Sequence, residues 1–178
     1  MSYILQKRTF IFILIMILFS CNNVKNNQQL KRINKLEKVT ELDQNKLQSL
    51  AISEIEKKLK IAEFNLLKFE RKKLDSTALE LIYVEYKNYI NCVNTLYESM
   101  QSINEFHKIL TTNIDQLKNI KVDCQNSALN EEKLDKYLQQ EDHVVFETSK
   151  SINRLVIEIN YEASRFDTLN QQMENIIN

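Results

Sequence analysis

Residues 79–117 read LELIYVEYKNYINCVNTLYESMQSINEFHKILTTNIDQL, and their spacing decides the fold. Leu79, Ile82, Tyr86, Tyr89, Val93, Leu96, Met100, Ile103, His107, Leu110, Ile114 and Leu117 follow one another at alternating steps of three and four. Only His107 among them is neither apolar nor aromatic. A heptad stripe of this kind stays on one side of an α-helix and has to be covered by another helix. Tyr83, Ile90 and Tyr97 widen it on one flank, which predicts two helical neighbours rather than one.

Outward from this stretch the same period recurs. Toward the C-terminus, Leu134, Leu138, Glu141, Val145, Thr148, Ile152, Leu155, Ile159, Glu162, Phe166, Leu169, Met173 and Ile176 keep the spacing, interrupted by Glu141, Thr148 and Glu162. Toward the N-terminus, Ile52, Ile55, Leu59, Ala62, Leu66 and Phe69 are in register. Further upstream Leu30, Ile33, Leu36, Val39 and Leu42 recur every three residues, a stripe that drifts around a helix and predicts less regular packing. Between Phe69 and Leu79 the heptad phase slips by one residue, and Thr77 with Glu80 fits a capping box. The second join is marked by Asn130 before Glu131 and Glu132, suited to a helix N-terminus by capping and by the helix dipole. Three segments follow, 30–72, 77–122 and 130–177, each roughly 65–72 Å long if fully helical. Equal lengths and short joins predict an all-α fold, an antiparallel up-down-up bundle of three long helices over residues 30–178. One very long helix in a parallel coiled-coil oligomer is the alternative.

The composition agrees. The chain of 178 residues contains neither glycine nor proline. Sheets and loop-built active sites need both for tight turns, whereas long helices with few joins need neither. There are 24 basic and 24 acidic residues. Without residues 1–20, which hold Lys7 and Arg8 and no acid, the balance is 22 against 24, or −2. That is no basic excess of the sort a nucleic-acid binder carries.

Residues 1–20 have the three parts of an export signal: Lys7 and Arg8, an unbroken apolar run from Phe10 to Phe19, and the small Ser20. As a helix, the ten apolar residues would span about 15 Å, half of a ~30 Å hydrocarbon layer, too short for a permanent transmembrane helix. Leu18-Phe19-Ser20-Cys21 resembles the lipobox of bacterial lipoproteins, although Phe19 is bulkier than the usual residue there. The resemblance covers about 21 residues and implies cleavage before Cys21, with fatty acyl chains such as palmitate attached to that cysteine. Two or more chains hold a protein on a bilayer stably where one does not. Cys21 to Gln29 then form a lipidated cysteine and a polar tether whose eight residues after Cys21 reach about 26–29 Å when extended.

Cys92 and Cys124 on one helix would be separated by about 48 Å, far beyond disulfide reach. His107 is on the core stripe and His143 on the outward face of the last segment, so their rings do not converge, and His107 reads as a polar register residue. Of the tyrosines, Tyr86 and Tyr89 belong to the core, while Tyr83 and Tyr97 are the candidates for an exposed recognition patch, Tyr being enriched at interfaces. Lys57-Lys58 with Lys60, and Arg71-Lys72-Lys73, read as solvated charge runs. The spacing supports no phosphate-binding glycine loop, CxxC pair or catalytic triad, so the reading is of a non-enzyme with no cofactor, metal or small-molecule substrate.

The composition is similar in style to small helical outer-surface lipoproteins of Borrelia-type spirochaetes, and flavobacterial lipoproteins look alike. That resemblance implies a surface-displayed bundle, anchored in the outer membrane or at the cell surface through Cys21, that binds a host or envelope protein. The alternative is a periplasm-facing spacer or envelope-associated coiled-coil rod. Its peptidoglycan-crosslinked form, which ends in Lys in Braun's lipoprotein, does not fit the Glu174–Asn178 ending.

Overall fold

The computed structural model describes residues 27–72 and 74–178. The signal reading at 1–20, the lipidated Cys21 and residues 22–26 of the tether lie outside the described residues. Residues 27–29, read from sequence as the end of the tether, are helical, and Gln29 is buried.

The described residues are all-α, with four helices where three were expected: α1 over 27–48, α2 Ile52–Arg71, α3 Ser76–Gln125 and α4 Glu131–Ile177. The first of the three expected segments is divided at 49–51. The reason lies in its buried positions. In α1 these are Gln29, Ile33, Leu36, Thr40, Asp43 and Leu47, followed by Leu50, a strict 4-3 alternation without drift. In α2 the fully buried apolar residues are Ile55, Leu59 and Ala62. The step from Leu50 to Ile55 is five, one residue too many for a continuous stripe. The chain absorbs that residue by leaving the helix. Ala51 takes φ −77° and ψ 62°, and the Ile52 N–H donates to the Leu50 carbonyl at 2.8 Å, an inverse γ-turn.

The other joins are capped locally. Asp75, not Thr77, caps α3: its Oδ1 accepts from the Ala78 N–H at 2.8 Å. Asn130 caps α4 as expected, accepting from the Lys133 N–H at 2.9 Å. At the end of α3 the Ala128 N–H donates to the Asp123 carbonyl at 3.0 Å and the Ser127 N–H to the Cys124 carbonyl at 3.3 Å. This is the Schellman pattern, normally built on glycine. Here Ser127 supplies the left-handed residue, at φ 50°.

The chain divides into two compact units, one built from the described part of Met1–Glu41 with Thr111–Glu147, the other from Leu42–Leu110 with Thr148–Asn178. In the first unit, Ile33, Cys124, Leu134 and Leu138 form one apolar cluster and Leu36, Leu117 and Val145 another. Gln29 Nε2 donates to Asp135 Oδ1 at 2.9 Å, Arg32 pairs with Asp142, and Lys121 pairs with Glu37 at 2.6 Å. These partners place α1 and α4 in the same sense and α3 in the opposite one.

The second unit has the larger core, in which Leu47, Tyr89, Leu96, Ile152, Ile159, Phe166 and Met173 are almost wholly buried. Each such apolar side chain contributes roughly 1.5–3 kcal/mol when removed from water. Tyr89 lies against Phe166 at 5.9 Å between ring centroids, and Phe69 stacks on Tyr86 at 4.5 Å. Lys58 pairs with Asp167. Lys72 Nζ donates to the carbonyls of Ile176 and Ile177, satisfying acceptors that the end of α4 leaves open.

The stripe expected for α4 is buried or half-buried at every position from Leu134 to Ile176. In α3 the flank differs. Cys92, Ser99 and Asn113 are buried and Phe106 and Ile120 half-buried, whereas Tyr83 and Tyr97 are exposed. Leu79, the first residue of the expected stripe, is also exposed.

Candidate interaction surface

The most distinctive feature of the surface of the described residues is its exposed apolar side chains. One cluster sits in the first turns of α3, where Leu79, Leu81, Tyr83 and Val84 are 43%, 79%, 58% and 63% exposed. It arises because the sequence from Leu79 to Val84 is apolar nearly all round the helix, while the neighbouring elements cover only one side. Ile82 and Tyr86 take the covered side and are half-buried. The Lys87 ammonium lies 5.8 Å from the Tyr83 ring centroid, close enough for a cation–π contact.

Tyr97 is placed differently from Tyr83. It is 37% exposed, and its hydroxyl donates to Glu63 Oε1 of α2. That hydrogen bond, helped by partial burial and the carboxylate charge, holds its phenol above the ordinary tyrosine range. Tyr97 is thus tied into the second unit by its polar end. Tyr89 is buried, and Tyr86 is occupied by Phe69.

Sequence reasoning missed a second surface, on α2. Ile61, Phe64 and Leu67 are 44%, 58% and 53% exposed. Lys57, Lys60, Lys68 and Arg71 are exposed around them, with Lys68 Nζ 4.6 Å from the Phe64 ring centroid. Charge alone, as the two basic runs show it, does not reveal this surface. The signal that could have revealed more is the spacing 57, 60, 61, 64, 67, 68, 71, a second helical stripe on the side opposite Ile55, Leu59 and Ala62. A groove of about 380 Å³ runs beside it, lined by Lys60, Ile61, Phe64 and Lys68 and closed by Glu174 and Ile177 of α4.

Burial, then the side-chain hydrogen bond and charge of the Glu162 carboxylate, push the Cys92 thiol up to about 12; its Sγ also donates to the Glu162 main-chain carbonyl at 3.4 Å. Burial also raises Cys124. A thiol so shifted is a poor nucleophile at neutral pH. Burial raises the Glu141 carboxyl, which lies in a smaller cleft of about 190 Å³ with Asp123 and Tyr137. Glu162, an interruption of the expected stripe, is buried and paired with Arg165 at 2.8 Å. His107 is half-buried in the second unit and His143 exposed in the first. Among the described residues no group of three or more His, Cys, Asp and Glu is placed to hold a metal ion, and no helix is long and apolar enough to cross a membrane.

No protein-family model matches this chain, and neither the curated proteins nor the solved structures contain a significant match to it.

Proposed function

We propose that this chain is a lipid-anchored helical protein, displayed at the surface of a bacterial outer membrane through acylated Cys21, that binds a protein partner, with host proteins as the class to test first. The observation that carries the binding reading is the exposed apolar cluster Leu79, Leu81, Tyr83 and Val84 at the start of α3. Contiguous apolar surface of this kind costs solubility and is kept where something covers it. The anchoring reading rests on Lys7, Arg8, the apolar run Phe10–Phe19 and Leu18-Phe19-Ser20-Cys21. The architecture proposed with it is an up-down-up bundle of three long arms, the first interrupted at 49–51. The sense of the helix pairings within each unit supports it.

Two measurements test the reading. Mass spectrometry of the mature protein should find acylated Cys21 at the N-terminus, and Cys21→Ala should accumulate as precursor. Protease added to intact cells should cleave the chain, and the chain should capture a partner whose binding weakens with Tyr83→Ala. Protection from the protease together with failure to capture any partner would transfer the assignment to a periplasm-facing spacer.

A further inference from the structure

We propose that the outward face of α2 is a docking surface for an anionic lipid bilayer. This goes beyond partner binding at the start of α3 and does not rest on it. At 100° per residue, Lys57, Lys60, Ile61, Phe64, Leu67, Lys68 and Arg71 fall within a sector of about 120° facing away from the buried stripe. All seven are exposed. The acids of α2, Glu54, Glu56, Glu63 and Glu70, lie outside that sector, and Glu63 is engaged by Tyr97. The α2 residues of the face therefore carry four positive charges and no negative one, in a chain whose total charge is zero; Glu174 of α4, which lines the groove beside Phe64, accepts a hydrogen bond from Asn170 at 2.9 Å.

A merely solvated charge run has no use for Ile61, Phe64 and Leu67 at steps of three, a row that crosses the sector diagonally from edge to edge with Phe64 at its centre. Single exposed apolar residues are ordinary, but a contiguous row marks a contact. The composition selects the kind of contact. Three of the four cations are lysines, a residue depleted in protein–protein interfaces. Lysine stems can lie alongside inserted apolar side chains while their ammonium groups stay at the phosphate level. Basic residues interleaved with Phe and Leu on one helix face suit the boundary between headgroups and acyl chains. A nucleic-acid backbone would match the charge but gives the three apolar residues nothing to contact. Anionic headgroups match the charge, and the upper acyl region matches Ile61, Phe64 and Leu67.

The chain contains no tryptophan, so Phe64→Trp makes the full-length protein its own site-specific reporter. Attachment elsewhere in the chain does not by itself bury residue 64. Phosphatidylglycerol-rich vesicles should shift its emission to the blue, with at least about tenfold higher apparent affinity than pure phosphatidylcholine vesicles. Added salt should weaken the effect. Ile157→Trp, which probes an exposed position of α4, should not shift. Lys57→Glu with Lys68→Glu in the Phe64→Trp background should abolish the shift at unchanged helicity; if that variant loses helicity, the comparison of vesicle compositions decides alone. The proposal is overturned by no shift at residue 64, by an equal shift with phosphatidylcholine, or by an equal shift at residue 157. A shift with polyglutamate where vesicles give none would also overturn it, assigning the face to an acidic protein.

Discussion

The Tyr89 hydroxyl donates to Asn170 Oδ1 at 3.0 Å, and the same oxygen accepts from Asn65 Nδ2 at 2.9 Å. Asn170 in turn donates to Glu174 at 2.9 Å. One acceptor thus serves α2 and α3 from α4, inside the second unit. Tyr89→Phe removes one of two donors and should cost about 1 kcal/mol. Asn170→Leu strands both a buried amide and a buried phenol and should cost more, about 2–4 kcal/mol, since each orphaned group adds its own desolvation penalty. Urea unfolding of the two variants checks the order. Equal losses would mean that the shared acceptor is not what joins the three helices.

Tyr89 also sets a limit at high pH, together with Cys92. Burial is the main cause in both, raising Tyr89 from 10.0 to about 12 and Cys92 from 9.0 to about 12. Each is more acidic unfolded than folded. Their contribution is therefore complete below pH 9–10 and is lost as the pH climbs toward about 12. Stability measured by circular dichroism should fall across that window. Cys92→Ala and Tyr89→Phe should each flatten the fall, whatever they do to stability at pH 7. At pH 8 in the folded protein, Cys92 should react with maleimide far more slowly than an exposed thiol.

The break at 49–51 makes a prediction that runs against intuition about deletions. Removing Ala51 shortens the step from Leu50 to Ile55 to four, so the steps from Leu47 to Ala62 become 3, 4, 4 and 3, a continuous apolar stripe with one local stutter. The deletion variant should fold, with α1 and α2 fused and helicity slightly raised. Removing Lys60 instead shifts Ala62 and Phe69 out of the stripe that Ile55 and Leu59 begin, and should cost several kcal/mol in lost burial. Thermal unfolding followed at 222 nm distinguishes the two deletions. If both destabilise alike, phase is not what places the break.

The same region explains what was legible in the sequence and what was not. In α4 the inward positions are nearly all apolar, so periodicity located them residue by residue, including the half-buried Glu141 and Thr148. In α1 the inward positions include Gln29, Thr40 and Asp43, which hydrophobicity cannot flag. Asp43 is tolerated because Lys46 lies 2.7 Å away, and Thr40 because its hydroxyl donates to the Leu36 carbonyl at 3.0 Å. Meanwhile Leu30, Val39 and Leu42 sit beside the true stripe and imitate a drifting one; Leu42 is half exposed. With the α1 stripe misplaced, its slip against α2 could not be seen. The surface on α2 was missed for a related reason: a search for one apolar stripe per helix discards a second one whose members alternate with lysine.

Ser127 gives a prediction of the opposite sign. A left-handed conformation at φ 50° costs a non-glycine residue about 1 kcal/mol or slightly more. Ser127→Gly should therefore stabilise the protein by about 1 kcal/mol and raise its Tm by roughly 2–4 °C. Ser127→Val, with a branched Cβ at the same φ, should lower it. Calorimetry of the pair checks both signs, and the Schellman hydrogen bonds of Ala128 and residue 127 are made by main-chain groups in all three proteins.

Tyr83 and Tyr97, the two tyrosines picked out from sequence, should separate experimentally. Tyr83 is more than half exposed and contacts Lys87 of its own helix, so Tyr83→Ala should leave stability within about 0.5 kcal/mol. If the start of α3 meets a partner, the same change should weaken binding by about 2 kcal/mol or more, the loss typical of an aromatic hot spot. Tyr97 holds Glu63 through its hydroxyl. Tyr97→Phe keeps the ring that a partner would touch and removes only that link; it should cost a few tenths to 1 kcal/mol of stability, as exposed polar contacts do, and leave binding unchanged. Binding titrations run beside thermal unfolding give both numbers for each variant. Loss of binding in Tyr97→Phe with none in Tyr83→Ala would move the partner surface to the junction of α2 and α3. Normal binding in both would remove the two tyrosines from it.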